Sequence, residues 1–322
     1  MRIAITGASG FIGANLVPLL EKAGHELRLL SRQPARQKNS ASTEWVYGEL
    51  QDNASLRNLV SGADAVINLA AMVSIKDGRD DRLIEVNTTG IRLLAAAAQE
   101  AGVRRFIHIS SAIAYEQAPY DQPMDEHRPL LQSQANSYAW SKSLAQAIAL
   151  EHNQQGMEVL VLAPTGVMGP NDHQPSLLGE LIIKLYTGQV PALFPGGIDL
   201  VDVRDVAAAI VTALTSGTPG QAYLLSGNWA TLGTLCEYIG AISGKRIALP
   251  VLPLWLVYAV LPVVRIRARI TRRPALYTRQ AVDTLVYSNK RIDHTRAQQE
   301  LGFHPRPLRE TVKDSLAQFF ML

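Results

Sequence analysis

The chain has 322 residues, 47% of them hydrophobic and 18% charged, with a formal net charge of +3. At about 150 residues per domain this is material for two domains around an ordinary packed core, which excludes disordered chains and disulfide-stapled miniproteins. The single Cys236 permits no internal disulfide, the seven histidines show no metal-ligand spacing, and the basic residues are not gathered into a stripe with interleaved aromatics, so neither a metal nor nucleic acid is expected.

Met1 to Ile5 run straight into a glycine-rich turn and leave no apolar segment for a signal peptide, so the expected location is cytoplasmic. Short apolar runs then recur at 3–6, 26–30, 45–47, 65–69, 106–109 and 159–162. Most are apolar throughout, as strands covered on both faces are. Helical stretches at 12–23, 89–101 and 137–155 lie between them, each stopped near a glycine: Gly24, Gly102 and Gly156. This alternation predicts an α/β fold, a Rossmann-type doubly wound parallel sheet. After Pro164 the pattern loosens through Pro170, Pro175, Pro191 and Pro195, resumes as a helix over 202–214, and returns to the sheet with a strand at 223–225. The expected division is a dinucleotide-binding unit over 1–165, with returns near 200–226, and a smaller, interleaved substrate lobe mainly over 166–322.

The turn after the first strand reads Thr6-Gly7-Ala8-Ser9-Gly10-Phe11-Ile12-Gly13 and opens a helix. Gly7 and Gly10 let the backbone turn tightly against a pyrophosphate, Gly13 lets the helix pack close to the sheet, and the helix N-terminus faces the anion. Isolated glycines would indicate only a turn; strand, spacing and helix together indicate a dinucleotide loop. At the end of the second strand a carboxylate would accept from a ribose 2′-hydroxyl, whereas a cation would pair with a 2′-phosphate. Ser31 and Arg32 stand there, no Asp or Glu occurs over 27–43, and Arg36 and Lys38 are nearby. NADP is the expected cofactor, with NAD the alternative.

The run at 106–109 delivers Ser110 and Ser111 to the C-terminal end of a strand, where doubly wound sheets bind ligands. Downstream, Tyr138 and Lys142 are four apart and project from one helix face. A free tyrosine has a pKa near 10, so a lysine cation and a cationic nicotinamide are needed to stabilise its phenolate near neutral pH. Tyr138 then moves a proton, a serine hydroxyl holds the substrate oxygen, and Lys142 contacts the nicotinamide ribose while tuning the tyrosine. Farther on, 247–264 carries no charge, and Arg265, Arg267, Arg269, Arg272 and Arg273 follow. The stretch is marginal for a bilayer span, and Pro250, Pro253 and Pro262 are expected to interrupt a helix. It reads as a buried pocket wall or as a peripheral membrane contact over 247–273.

With these pieces assembled, the chain resembles the extended short-chain dehydrogenase/reductase (NAD-dependent epimerase/dehydratase) superfamily over nearly its whole length. The matching segments are 6–13, Asp64-Ala65-Val66-Ile67-Asn68-Leu69-Ala70-Ala71, Val86-Asn87-Thr88-Thr89-Gly90, Ile109-Ser110-Ser111-Ala112, and Tyr138 with Lys142. The resemblance implies that the catalytic hydroxyl lies four residues before Tyr115, which selects Ser111. It also implies that Glu49 and Leu50 approach the adenine, that Ala70, Ala71 and Met72 line the dinucleotide path, that Asn87 organises the site, and that the chain forms a homodimer. With Ser9, Phe11, Ile12 and Pro164, these residues complete the expected cofactor-binding set.

Arg32-Gln33-Pro34, Asp202 to Val206 and the ending Leu301-Gly302-Phe303 are similar to dihydroflavonol 4-reductase-like and 3β-hydroxysteroid-dehydrogenase-like members. Glu116 after Tyr115 and Ala163 before Pro164 depart from nucleotide-sugar epimerases, which often have glycine and arginine there. The leading expectation is an NADP(H)-dependent enzyme interconverting a carbonyl and a secondary alcohol on a small hydrophobic substrate. The alternatives are a nucleotide-sugar epimerase or dehydratase with tightly held NAD, and a non-catalytic dinucleotide-binding sensor or assembly factor.

Overall fold

A computed structural model describes the chain except for residues 34–39, 41, 75–76, 155, 272–277 and 321–322, and except for the side chains of 265 and 267–271. Arg36, Lys38, Arg272, Arg273 and the side chains of Arg265, Arg267 and Arg269 therefore lie outside the described residues.

The strands are β1 (Arg2–Thr6), β2 (Glu26–Ser31), β3 (Thr43–Tyr47), β4 (Ala65–Asn68), β5 (Arg105–Ile109), β6 (Glu158–Pro164), β7 (Gly166–Met168), β8 (Gly197–Asp202), β9 (Ala222–Leu225) and β10 (Asn228–Thr231). Seven of them form one sheet in the order β3-β2-β1-β4-β5-β6-β9, every neighbouring pair parallel. The chain winds outward from β1 to β3, then restarts on the other side of β1 with β4. The crevice beyond the C-terminal ends of β1 and β4 is therefore the topological switch point at which such sheets bind ligands. Ile3, Ala4 and Ile5 are fully buried, as a strand between two layers of helices requires.

The helices are α1 (Phe11–Lys22), α2 (Asn53–Val60), α3 (Asp81–Glu100), α4 (Ser137–Glu151), α5 (Leu177–Tyr186), α6 (Val203–Ala213), α7 (Leu232–Ser243), α8 (Leu254–Thr271), α9 (Arg279–Val286), α10 (Thr295–Leu301) and α11 (Leu308–Phe320). One face of the large sheet, through Ile3, Ile5, Ile67 and Ile107, packs against Leu16 of α1, Ile210 of α6 and Leu301 of α10. The other face, through Ala4, Val66, Phe106 and Val159, packs against Leu59 of α2, Leu94 of α3 and Ala149 of α4. The result is the doubly wound α/β architecture that the sequence predicts, and β9 is the expected return to the sheet.

Three local expectations change. α3 starts eight residues before the expected 89, because Asp80 caps it by accepting from Leu83 N at 3.0 Å. α4 ends at Glu151, short of 155, because the chain must turn back into β6; Asn153 Oδ1 fixes that turn by accepting from Val159 N at 2.9 Å. Prolines do not interrupt the 254–271 stretch. Pro253 precedes α8 and Pro262 lies inside it, while Val257, Leu254, Tyr258 and Leu261 pack inward onto a second core shared with α5, α7 and α11. Burial of that face outweighs the missing proline N–H.

The loops expected after Pro164 contain a second, three-stranded sheet, β10-β8-β7, that the sequence reading did not anticipate. Among the described residues no helix is long and apolar enough to cross a membrane.

Candidate active site

The turn between β1 and α1 takes its shape from two close approaches. Gly7 has φ +73°, and a Cβ there would stand 2.7 Å from Ala70 N; only glycine meets both demands. A Cβ on Gly13 would stand 2.2 Å from Ala8 O, so glycine is what lets α1 begin this close to the turn. The α1 N-cap is Gly10, which offers no side chain to the first-turn N–H groups. Ser9 and Gly10 are exposed, and Phe11 and Ile12 are half-buried in that first turn. The cradle thus presents unshielded backbone donors and a helix N-terminus, which fits a dinucleotide pyrophosphate.

Across the switch point, Ala70, Ala71 and Met72 leave β4 beside Gly7. Asn87 of α3 clamps this segment: its Oδ1 accepts from Met72 N at 2.7 Å and its Nδ2 donates to Met72 O at 3.0 Å. The same Nδ2 donates to Ser141 Oγ at 2.9 Å, which ties the segment to α4 one residue from Lys142. Leu50 packs on Gly90 of α3, where a Cβ would come within 3.1 Å of it, and Glu49 beside it is exposed. Arg32 is exposed and directly follows the last residue of β2, Ser31, whose Oγ accepts from Gln33 N at 3.1 Å.

Ser110 and Ser111 part at the end of β5. Ser110 is buried and donates to Gln146 Oε1 of α4 at 2.7 Å, while Gln146 Nε2 donates to Tyr115 Oη at 2.7 Å. Ser111 is half-buried; its Oγ lies 3.5 Å from Pro164 O and accepts from Ile113 N at 3.4 Å, capping a short 3-10 turn.

Asn136 caps α4 by accepting from Ala139 N at 3.0 Å, and Lys142 Nζ donates to Ile109 O at 2.7 Å. This bond draws the lysine to the serine-bearing strand end. The ammonium is bonded to a carbonyl, and burial pushes the Tyr138 phenol up to about 12. Burial also pushes Lys142 down to about 8.

The buried lysine gives a stability prediction. A cation whose folded pKa is depressed from 10.5 to about 8 destabilises the fold fully below pH 8, and that cost fades as pH rises toward 10.5. Between pH 7 and pH 10, therefore, the stability of the wild type should rise relative to Lys142→Met by about 2 kcal/mol. Urea unfolding of both proteins at the two pH values checks this; a constant difference contradicts it.

Beneath the site, Thr6 Oγ1 donates to Asn68 Oδ1 at 2.5 Å, and Asn68 Nδ2 lies 3.1 Å from His108 Nδ1. Burial and the nearby Lys142 charge hold His108 well below its ordinary pKa, so Nδ1 accepts and the neutral ring carries its proton on Nε2. The sequence reading missed this chain of contacts, although polar residues at or next to the C-terminal ends of three largely apolar strands are a visible signal. It also missed Asn136 and Gln280, whose Nε2 donates to Asn136 Oδ1 at 2.7 Å from α9; nothing local marks a pair 144 residues apart. Among the described residues no group of three or more His, Cys, Asp or Glu is placed to hold a metal.

Comparison with known proteins agrees with this geometry. A sterol demethylase protein B from Methylococcus capsulatus is 31% identical over 99% of this chain and 98% of its own. A provisionally named dihydroflavonol 4-reductase from Synechocystis sp. is 30% identical over 98% of this chain and 93% of its own. The crystal structure of gox2253 superposes with a TM-score of 0.83 at 30% identity, covering 100% of this chain and 98% of that one. The model of the NAD dependent epimerase/dehydratase family matches residues 3–226, a span that holds the glycine cradle, the β5 serines and the Tyr138–Lys142 helix. The chain belongs to that family of dinucleotide-dependent oxidoreductases.

Proposed function

We propose that the protein is an NADP(H)-dependent oxidoreductase that interconverts a carbonyl and a secondary alcohol on a small, hydrophobic substrate. The observation that carries this reading is the bond from buried Lys142 Nζ to Ile109 O, two residues before the half-buried Ser111 whose Oγ lies beside Pro164 O, with Tyr138 one turn before Lys142 on α4. Residues 1–165, with the returns near 200–226, hold the dinucleotide; the rest of 166–322 closes on the substrate.

The chemistry that the dinucleotide supplies when bound is two-electron transfer at its nicotinamide. The chain does the remainder. Ser111 Oγ donates to the substrate oxygen and fixes its position. The Tyr138 hydroxyl gives its proton to that oxygen in the reductive direction and takes it back in the oxidative one. Burial pushes the Tyr138 pKa up to about 12, so in the neutral range it is a protonated phenol, the form that donates. Lys142 anchors α4 to Ile109 and holds positive charge at the ribose. The hydrophobic substrate class is supported by the apolar second lobe and by relatives named for a sterol and a dihydroflavonol.

Deuterium-labelled NADPH tests the reaction type: the label should appear on the carbinol carbon of the product, and a product free of label contradicts the reading. Arg32 tests the cofactor. A charge-assisted hydrogen bond to the 2′-phosphate contributes about 1.5–3 kcal/mol, so Arg32→Ala should weaken NADPH about 10-fold to 150-fold and leave NADH nearly unchanged. Titration of both proteins with both dinucleotides decides it, and equal losses for the two would assign the site to NAD.

A further inference from the structure

The outward face of α8 is apolar and uncovered among the described residues. Trp255 is 70% exposed, Val263 64% and Ile266 57%, and Ala259 and Pro262 between them are exposed as well. At 100° per residue these positions share one side of the helix, while Leu254, Val257, Tyr258 and Leu261 on the other side enter the second core. Scattered exposed apolar residues need no explanation, but a contiguous face on one helix marks a contact surface.

The charge around this face indicates what covers it. From Tyr238 to Val282 the sequence has eight basic residues and no acidic one. The whole chain is only +3, so the remainder of the molecule is net negative and the positive charge is concentrated about α8. Arg265, Arg267 and Arg269 fall in the last two turns of the helix by sequence, the exposed Arg246 precedes it, and Arg279 beyond it pairs with Asp283 at 3.6 Å. An apolar helix face carrying tryptophan within an arginine-rich stretch of sequence is the pattern of a helix lying in the plane of an anionic membrane. Each basic residue near such a surface strengthens partitioning about fivefold.

α8 also connects to the catalytic helix. Tyr258 Oη donates to Asp283 Oδ1 of α9 at 2.6 Å, and Gln280 of α9 bonds to Asn136, the N-cap of α4. A cleft of about 380 Å³ lies between α8 and α9, lined by Tyr258, Leu261, Pro262, Arg279, Asp283 and Tyr287; Gly7, Ser111 and Tyr138 do not line it. We infer that the protein binds the surface of anionic membranes through the Trp255–Val263–Ile266 face of α8, with the α8–α9 cleft opening at the lipid. Entry of an apolar substrate by that cleft rests on the proposed function. The binding itself is measured without substrate or cofactor, so the two readings fail separately.

The experiment is flotation of the full chain with vesicles of phosphatidylcholine alone and of phosphatidylcholine with phosphatidylglycerol in equal parts. The wild type should float with the mixed vesicles at low salt, should not float with the neutral ones, and should be released as salt rises. Trp255→Ser/Val263→Ser/Ile266→Ser should lower partitioning at least about tenfold. The variant should keep wild-type NADPH affinity, which shows that the fold is intact. Absence of flotation with mixed vesicles, or equal flotation of wild type and variant, overturns the inference. So does sedimentation showing a wild-type dimer that the triple variant dissociates, because the face would then belong to a second copy of the chain.

Discussion

Tyr138→Phe should retain dinucleotide affinity and lose about 100-fold to 10,000-fold in turnover, the range expected when a positioned general acid is removed. The substitution deletes one oxygen from a half-buried ring whose hydroxyl makes no hydrogen bond among the described residues, so the fold should be unaffected and the melting temperature should stay close to that of the wild type. The loss should appear in kcat and in kcat/KM together, because the hydroxyl acts in proton transfer and not in holding the ground state. Ser111→Ala should fall in the same direction by a smaller factor. Turnover of the phenylalanine variant at the wild-type rate would remove Tyr138 from the chemistry.

Gly13→Ala should damage the dinucleotide site from the opposite direction, through geometry. The added methyl would sit 2.2 Å from the carbonyl oxygen of Ala8, so α1 must move away from the turn. Overpacking of this kind costs about 1–3 kcal/mol of stability. The first-turn N–H groups move with the helix, and a misplacement of about 1 Å is worth about 100-fold. The dissociation constants for NADPH and NADH should therefore rise together by about that factor, unlike the selective loss expected for Arg32→Ala. Parallel titrations and thermal melts check both effects; unchanged affinity for both dinucleotides would contradict the role given to the cradle.

Residues whose placement is decided within a few positions were legible in the sequence. Gly7, Gly10 and Gly13 stand out because the strand, turn and helix that give them meaning are contiguous. Tyr138 and Lys142 stand out because a helix places positions four apart together. The large sheet was legible for the same reason: runs buried on both faces are largely apolar, and six of its seven strands appear as short apolar-rich runs before Pro164. The resemblance to a known family added Ser111, Asn87 and the segment 70–72, whose roles depend on partners far along the chain.

Elements whose shape comes from tertiary contact were not legible. β7 and β10 are short, and only their pairing with β8 separates them from loops. Pro262 reads as a helix breaker, yet the inward face of α8 packs on the second core and holds the helix through it. The Gln280–Asn136 contact joins residues that no local pattern relates. The structural partner of Lys142 was not legible on the same ground. Spacing places it near Tyr138, but only the fold shows that its ammonium donates to the Ile109 carbonyl.

The most direct test of carbonyl–alcohol oxidoreduction with an exchangeable NADP(H) is the stoichiometry of cofactor consumption. The purified protein, freed of bound nucleotide, is given NADPH and a panel of fused-ring hydrophobic ketones, and both NADPH and alcohol are measured. The account predicts one NADPH oxidised for each alcohol formed, with turnover abolished by Tyr138→Phe. A protein that purifies with NAD held through the preparation and isomerises a nucleotide sugar with no net consumption of NADPH would contradict it.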